Sequence, residues 1–318
     1  MVFLAFGDGI KLIILSILMY KTKCPLCGSI ENYKVMYRAN FNKSDLSIKT
    51  FSARRLPDRI HYQIVQCKSD GLVRSNPIMD IKILESLYNK SKFTYTNELE
   101  QLTTTYLHEI LPVLSGHTKS SILEIGCGNG FILSALQKIG FKQVFGIEPS
   151  RNAIAQAEPN IRNNITRGLL KRDTFPKKSF DYILCFQTLD HIPDPNTFLT
   201  ICHSLLNTGG IILLFQHNVQ SISARLLKEK SPIIDIEHTF LYSPDTLKKL
   251  MEKNSFSVLS LHKPFNYVSL RHILHLSPFP NSIKKWVLSN QSKFVQNILK
   301  TSLWLPLGNI CIIAQKHA

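Results

Sequence analysis

The chain has 318 residues, 44 % of them hydrophobic, and a formal net charge of +16 at pH 7. This length exceeds that of one small domain, and this apolar content excludes an intrinsically disordered chain. The charge is unevenly distributed along the chain. Glu252 is the last acidic residue, and the basic residues that follow it have no carboxylate side chain among them. Such a surface favours an anionic partner, whereas a solvated basic face without a specific partner is the simpler alternative.

An apolar segment opens the chain. Between Leu12 and Tyr20 no charged residue occurs, but this length is about half of the roughly 20 residues that a membrane span requires. No cleavage site of small residues follows it, so we expect neither a secreted nor a membrane-spanning protein. Residues 1–22 are interpreted as an extension that is either a short extra element or lies ahead of a true start at Met19.

The cysteines fall into two groups. One group stands singly within apolar segments, as small buried thiols do in a reducing compartment, and predicts a cytoplasmic protein. The members of this group are Cys127, Cys185, Cys202 and Cys311. The other group lies in residues 23–77, a region of short β-prone runs. There, Cys24-Pro25-Leu26-Cys27-Gly28 is a turn of the kind that binds zinc, and Cys67 begins a partial second turn that ends at Asp70.

Residues 78–116 predict two helices that connect this region to the rest of the chain, because apolar residues recur there at helical spacing. From residue 117 to residue 318, predicted strands alternate with helices. The strands are Ser121 to Ile125, Val144 to Ile147, Phe180 to Phe186 and Ile211 to Phe215. This alternation predicts an α/β domain with a largely parallel sheet and helices on both faces.

The strongest local pattern is the turn after the first of these strands. It reads L-E-I-G-C-G-N-G over residues 123–130, between a strand and a helix. Glycines allow a sharp turn and let a ligand lie against the main chain at the carboxyl edge of the sheet. A dinucleotide fingerprint would require its third glycine where Phe131 stands. Two acids separate the pattern further from that fingerprint: Glu124, two residues before the first glycine, and Glu148, at the end of the next strand.

In this order, these features resemble class I S-adenosylmethionine (SAM)-dependent methyltransferases. The resemblance is closest over residues 122–210. It rests on the E-x-G-x-G-x-G loop, the acid at the end of the second strand, and three later segments. These segments are Phe180-Asp181, Leu189 to Pro195 (L-D-H-I-P-D-P) and Leu206 to Gly210 (L-N-T-G-G). The resemblance implies a Rossmann-like class I methyltransferase sheet, SAM as the cofactor and methyl transfer as the activity.

The resemblance also implies which residues meet the cofactor. They are Glu124, Gly126, Gly128, Gly130, Glu148 and Gln187. By resemblance, the glycines lie under the methionine and ribose parts of SAM, and Glu148 accepts hydrogen bonds from both ribose hydroxyls. Glu124 is expected to order the loop from behind, and Gln187 to line the methionine end.

Three histidines are candidates for the chemistry of methyl transfer: His191, His217 and His238. A positioned histidine that removes the acceptor's proton typically contributes about 10²–10⁴-fold to the rate. His191 is the first candidate, since it lies in the loop where the family's acceptor sits, and a structural role in that loop is the alternative. Residues 217–256 resemble sugar- and polysaccharide-associated members, in which such histidines belong to the active site.

The cysteine region resembles the zinc-ribbon-like module that precedes some class I methyltransferases. In that module the second turn reads C-x-x-C-G-L-V, whereas here Asp70 replaces the fourth cysteine. A carboxylate oxygen can bind zinc at about 2.0–2.2 Å, so we predict a structural zinc site. Its ligands are Cys24, Cys27, Cys67 and Asp70. The alternative is a module that has lost its metal and folds on its own small core.

These observations favour an O-methyltransferase that acts on a sugar, a nucleotide-linked sugar or a related small metabolite or glycan, expected to be anionic. An RNA methyltransferase is the alternative, since the net charge and a zinc ribbon suit RNA. Against it, residues 186–189 lack the Asn/Asp-Pro-Pro-Tyr pattern of many amino-group methylases. A SAM-binding regulator without turnover is a third interpretation.

The C-terminal region predicts two strands, Val258 to Leu261 and Ile310 to Ala314, that pair at the sheet edge around an insertion at 264–306. Apolar residues and lysines alternate in this insertion at roughly helical spacing. They are Ile283, Trp286, Val287, Phe294, Ile298 and Leu303, with Lys284, Lys285, Lys293 and Lys300. Either the apolar stripe packs on the domain with its lysines in water, or a basic amphipathic helix meets an anionic acceptor or a membrane surface.

Overall fold

The structure is a computed structural model, and it describes residues 19–42, 45, 50, 59–93, 98–114, 118–277 and 279–317. Most of the predicted N-terminal extension, residues 1–18, lies outside the described residues. Within the described part of the chain, none of the helices combines the length and the apolar character that a membrane span requires.

The elements of the fold follow the predicted order. The strands are β1 (Met19–Tyr20), β2 (Tyr33–Tyr37), β3 (Ile64–Cys67), β4 (Val73–Ser75), β5 (Ile78–Met79), β6 (Ser121–Ile125), β7 (Gln143–Glu148), β8 (Ile165–Arg167), β9 (Phe180–Phe186), β10 (Leu206–His217), β11 (Phe240–Leu241), β12 (Phe256–His262), β13 (Asn266–Ser269), β14 (Ser302–Leu305) and β15 (Asn309–Lys316). The helices are α1 (Ile81–Lys90), α2 (Leu99–Leu114), α3 (Phe131–Lys138), α4 (Arg151–Ala155), α5 (Pro159–Arg162), α6 (Pro195–Leu205), α7 (Ile222–Leu227), α8 (Pro244–Lys253), α9 (Leu270–Leu276), α10 (Asn281–Leu288) and α11 (Lys293–Lys300).

A seven-stranded sheet in the order β12-β15-β10-β9-β6-β7-β8 forms the centre of the molecule. Neighbouring strands from β10 to β8 are parallel, whereas β15 runs antiparallel to both β10 and β12. The expected Rossmann-like sheet is therefore confirmed, and so is the pairing of the two C-terminal strands at its edge. In such a sheet the carboxyl ends of the parallel strands meet at one edge, where ligands bind.

Helices cover both faces of the sheet, as strands with continuous apolar runs require. Neighbouring residues of β6 point to opposite faces, and Leu123 and Ile122 accordingly belong to two separate buried clusters. The Leu123 cluster packs against α6 and α8, and the Ile122 cluster packs against α2 and α3. The predicted connector helix α2 is thus part of the core of the methyltransferase-like domain.

A second sheet, in the order β11-β4-β3-β2, joins the cysteine region to the larger domain. Strand β11 comes from the C-terminal half of the chain, yet Phe240 and Leu241 pair with Arg74 and Val73 of β4. The region from residue 23 to residue 77 is therefore continuous with the domain that follows it through backbone hydrogen bonds.

The insertion between β12 and β15 forms the hairpin β13–β14 and three short helices instead of one long helix. Its apolar stripe does not pack away from water, because Trp286 is 70 % and Phe294 73 % exposed. Lys284 departs from the expectation of a solvated lysine: it is buried, and its Nζ donates to the carbonyl of His275 at 2.8 Å. The interpretation of a stripe packed on the domain is therefore wrong.

Candidate functional site

One large cavity, of about 770 Å³, lies at the carboxyl edge of the parallel strands. Two groups of predicted site residues line it. The cofactor end is lined by Glu124, Gly126, Gly128, Glu148 and Gln187. The histidine end is lined by His191, His217 and His238, and Asp190 stands directly behind these rings.

At the cofactor end, Glu148 organises the glycine loop. One carboxylate oxygen of Glu148 accepts from the N–H of Gly128 at 3.0 Å, and the other accepts from the N–H of Ser150 at 2.8 Å. Burial raises the pKa of Glu148, and these two N–H donors act in the opposite direction. Each carboxylate oxygen has further lone pairs, so Glu148 can still accept hydrogen bonds from a ligand in the cavity.

Glu124, which is expected to order the loop from behind, is buried, and its Oε2 lacks a hydrogen-bond partner among the described residues. Burial, reinforced by the negative charge of Glu148, raises the pKa of Glu124 well above its ordinary value. A carboxyl in these surroundings favours its neutral form. Glu148 orders the loop through its bond to Gly128, and the role of Glu124 in the loop stays a prediction.

The glycines differ in what they face. Gly126 and Gly128 line the cavity and have φ values of +74° and +56°, a region that favours glycine. Gly130 has φ of +71° and starts α3, and a Cβ there would lie 2.8 Å from Ile161, which packs beneath the loop. Gly130 thus serves the packing of the loop on α5, and only the other two glycines present bare main chain to the cavity.

Phe93 is a component of the cofactor end that sequence reasoning missed. A Cβ on Gly128 would lie 2.9 Å from the Phe93 ring, so the two residues are in close contact. The segment that carries Phe93 is held on α4, because the Phe93 N–H donates to Asn152 and Ser150 donates to the carbonyl of Ser91. No local pattern marks this contact, since the segment lies between two helices and meets the loop only in the folded chain.

At the histidine end, the carboxylate of Asp190 is surrounded by imidazoles. Its Oδ1 lies 3.8 Å from His191 Nε2, and its Oδ2 lies 3.6 Å from His238 Nε2. The rings of His191 and His217 each stand 5.0 Å from that of His238, measured between centroids. The structure therefore brings together all three predicted histidines, together with an acid whose role the sequence did not define.

The surroundings of Asp190 and His191 shift their protonation. Burial opposes ionisation of Asp190, but the histidines, His191 foremost, hold its pKa below the ordinary value. Burial lowers the pKa of His191 to about 4, and the Asp190 charge opposes that shift only in part. At neutral pH, Asp190 is therefore a carboxylate and His191 a neutral imidazole, whose Nδ1 stands 3.3 Å from the Tyr88 hydroxyl.

The cysteine region helps to position His238. The carbonyl of His238 accepts from Ser75 Oγ at 2.7 Å, and the N–H of Ser75 donates to the carbonyl of Thr239. The next residues pair with β4 as strand β11. On its other side, the N–H of Thr239 donates to the carbonyl of Asp190 at 2.8 Å. His238 is thus held between the cysteine region and the loop that carries Asp190.

The four predicted zinc ligands come together on one side of the molecule. The Sγ atoms of Cys24 and Cys67 lie 3.1 and 3.2 Å from Asp70 Oδ2, and the Sγ atoms of Cys27 and Cys67 lie 3.5 Å apart. All four donor atoms lie within 4.8 Å of one another. The larger domain holds the first turn, because Lys253 and Asn196 both donate to the carbonyl of Pro25.

The insertion reaches the cavity through α9. His272 and Ile273 of this helix line the cavity beside Asn266 from β13. His272 Nδ1 lies 2.6 Å from a carboxylate oxygen of Glu98. The insertion therefore contributes to the wall of the same cavity.

Curated relatives match part of the chain. A ubiquinone biosynthesis O-methyltransferase of Histophilus somni is 27 % identical over 124 residues, which are 36 % of this chain and 52 % of that protein. The mitochondrial protein of the same name in Homo sapiens is 27 % identical over 165 residues, 46 % of this chain and 44 % of that one. The chain spans about half the length of these curated relatives.

Solved structures give similar matches in fold. A SAM-dependent methyltransferase from Archaeoglobus fulgidus aligns with a TM-score of 0.47 and 21 % identity, covering 74 % of this chain and all of its own. A methyltransferase structure from Bacillus halodurans aligns with a TM-score of 0.48 and 15 % identity, covering 67 % of this chain and 99 % of its own.

A family profile described as a methyltransferase domain matches residues 95–261, slightly more than half of the chain. The matched range contains α2, the glycine loop, both acids of the cofactor end and all three histidines. The chain therefore belongs to this methyltransferase-domain family, whose cofactor is S-adenosylmethionine.

Proposed function

We propose that the protein transfers the methyl group of SAM to a hydroxyl oxygen of a small acceptor bound at the histidine end of the cavity. The observation that carries this proposal is the continuity of one cavity from the glycine loop and Glu148 to the three histidines. A cofactor at one end and an acceptor at the other would then share a single continuous cavity.

The residues of the cofactor end fit SAM. Glu148 has spare acceptor capacity for ribose hydroxyls, and the buried Oε1 of Gln187, which lines the cavity, lacks a hydrogen-bond partner among the described residues. An unpaired buried acceptor suits a donor such as the ammonium group of methionine. Gly126 and Gly128 let the cofactor approach the main chain, and Phe93 limits the space above Gly128.

Bound SAM supplies a methyl group activated by a positively charged sulfur. The protein's task is then to align the acceptor and to accept its proton, and alignment alone can supply much of the rate. A neutral histidine at the histidine end can take the proton from a hydroxyl within hydrogen-bond reach. His191, His217 and His238 remain the candidates, and the neutral His191 is the first of them.

An oxygen acceptor is supported by the names of the curated relatives, which specify O-methylation in ubiquinone biosynthesis. Aromatic side chains near the cofactor also suit a ring-shaped acceptor: Tyr106 stacks on Phe186 with ring centroids 4.2 Å apart, and both line the cavity. A sugar hydroxyl, to which residues 217–256 point by resemblance, stays a prediction. We place the reaction in the cytoplasm, which agrees with the seven free cysteines.

The test is a methyl-transfer assay with labelled SAM against three acceptor pools in parallel: phenols with adjacent hydroxyls, nucleotide sugars and total RNA. Incorporation into either of the first two pools supports the proposal and identifies the acceptor class. Incorporation into RNA alone would establish the alternative. SAM binding by calorimetry without incorporation into any pool would favour a regulator without turnover.

We also propose that Cys24, Cys27, Cys67 and Asp70 bind one structural zinc ion. Three thiols and a carboxylate oxygen within 4.8 Å of one another are a suitable donor set, and two of the thiols share the same Asp70 oxygen. Since β3 and β4 lead from this site to Ser75 and His238, the zinc ion would stabilise the sheet that positions His238.

Elemental analysis of protein purified without chelator should find about one zinc per chain. Asp70→Ala should lower zinc affinity. Chelation should reduce turnover more than SAM affinity, because Ser75 of the second sheet bonds to His238, whereas Glu148 bonds to Gly128 and Ser150. Asp45→Ala, at another exposed acid of the same region, is the matched control. Metal-free protein of full stability would contradict the site.

A further inference from the structure

The carboxylate of Asp190 is buried beside the three histidines. The side chain is 1 % exposed, and neither of its oxygens has a hydrogen-bond partner among the described residues. A buried carboxylate without donors is costly, and such a group requires a compensating positive charge. The nearest side-chain nitrogens are His238 Nε2 at 3.6 Å and His191 Nε2 at 3.8 Å.

The hydrogen bond made by His238 Nδ1 determines whether Nε2 of a neutral ring carries a proton or a lone pair. His238 Nδ1 lies 2.8 Å from the carbonyl oxygen of Ile233, which can only accept, so Nδ1 carries a proton and donates. In a neutral ring, Nε2 then carries a lone pair. This lone pair faces an oxygen of Asp190, and two acceptors facing each other repel unless a cation lies between them.

The distance decides which cation fits. An N–H···O hydrogen bond joins its heavy atoms at about 2.7–3.2 Å, so 3.6 Å is too long for a shared proton. A metal ion bound at about 2.0–2.2 Å by both atoms would hold them roughly 3–4 Å apart. The bond from Nδ1 to a backbone carbonyl is also the contact that metal-binding histidines make with their second nitrogen.

His217 lies close enough to be a third ligand. Asp190, His217 and His238 each place a ligand atom within 4.8 Å of the others. Two imidazole nitrogens and one carboxylate oxygen form a donor set that holds catalytic divalent ions while leaving further positions open. The open positions here would face the cavity, because His217 and His238 both line it.

A comparable cluster elsewhere lacks these features. Glu109, His262 and Cys311 also come within 4.8 Å of one another, but Glu109 already pairs with His262 at 2.6 Å and with His108 at 3.2 Å. Its carboxylate is satisfied by these partners. Glu109 therefore provides a matched control for Asp190.

We propose that Asp190, His217 and His238 bind one divalent metal ion at the histidine end of the cavity. Its use rests on the proposed function: the ion takes the acceptor's hydroxyl oxygen as a further ligand and eases loss of the hydroxyl proton to His191. That oxygen then forms its bond to the methyl group as the bond from methyl to sulfur breaks. Binding of the ion itself does not depend on that function.

The experiment titrates full-length protein, purified without chelator so that any zinc at the cysteine site is retained, with Mn²⁺ and follows the free ion by electron paramagnetic resonance. Manganese prefers oxygen and nitrogen ligands, so the site rich in cysteine thiols competes little for it. We expect one saturable site per chain, at least tenfold weaker in Asp190→Asn and unchanged in Glu109→Gln. If Asp190→Asn does not fold, His217→Ala provides the same comparison.

Calorimetry with SAM accompanies each variant. Unchanged SAM affinity in Asp190→Asn shows that the loss is local to the histidine end. The proposal is overturned if the wild type shows no saturable site, or if Asp190→Asn and His217→Ala bind Mn²⁺ as the wild type does. Failure of the proposed function is visible separately, as an absence of SAM binding or of methyl transfer in protein that binds the metal.

Discussion

The two ends of the cavity are built in different ways. The cofactor end comes largely from one continuous stretch, in which β6, the glycine loop, α3 and β7 follow one another. The histidine end is assembled from the 3₁₀ turn at Leu189–His191, the end of β10, the loop before β11 and helix α9. A motif of fixed spacing therefore describes the first end, whereas the second depends on how distant segments pack.

This difference predicts that the two ends can be disabled separately. Glu148 lies on a strand within the sheet and bonds to its neighbouring loop, so its contribution is to the cofactor. The histidines and Asp190 contact one another and the cysteine region, so their contribution is to the acceptor and its proton. Changes at the cofactor end should leave the affinity for the acceptor nearly unaltered, and changes at the histidine end should leave the affinity for SAM nearly unaltered.

The largest effect is expected at His191. His191→Ala should lower kcat by about 10²–10⁴-fold, the usual contribution of a positioned base, with SAM affinity retained. Single-turnover kinetics and SAM calorimetry on the same protein provide the measurement. The exposed His108→Ala is the control. A loss of less than tenfold would assign His191 to a structural role, and the same series on His217 and His238 would then rank those two.

A smaller effect is expected at Glu148, and it concerns SAM affinity instead of kcat. Glu148→Ala should weaken SAM binding by about 1.5–3 kcal/mol, or roughly 10- to 150-fold, since charge-assisted hydrogen bonds to the cofactor are lost. Turnover at saturating SAM should change far less. Glu158→Gln, at an exposed acid that pairs with Lys138, is the control. Unchanged calorimetric affinity in Glu148→Ala would refute the role of this carboxylate.

The smallest effect is expected on the basic insertion, which extends the histidine end outward. Lys285, Lys293 and Lys300 are exposed beside the equally exposed Trp286 and Phe294. Changing the three lysines to glutamine should raise KM for an anionic acceptor, or weaken binding to anionic vesicles, by a few fold at low salt. The effect should fade at high salt as screening grows.

Lys284 is left out of that variant because it is buried and bonded to the carbonyl of His275. Lys284→Gln should lower thermal stability without a salt-dependent change in KM, which separates packing from surface charge. Should the triple variant keep both wild-type KM and wild-type vesicle binding at low ionic strength, the insertion has only a scaffolding role.

Some features were accessible from the sequence because they are local. The alternation of strands and helices, the glycine loop and the apolar runs of the two C-terminal strands all depend on neighbours in the chain. The two cysteine turns are likewise local, and four candidate ligands could be named. The approach of Phe93 to Gly128 and the hydrogen bond from the Gly128 N–H to Glu148 could not be named, since both depend on contacts between separate segments.

By itself, the sequence determined the class of the fold and the family, and it named candidate residues for the cofactor end, because periodicity and motif spacing act over a few residues. Only the tertiary structure decided that Asp190 lies among three histidines, that β11 pairs with β4, and that Trp286 and Phe294 face water. These outcomes arise from packing between segments distant in the chain. Side-chain burial and hydrogen-bond partners are properties of that packing, and no local pattern encodes them.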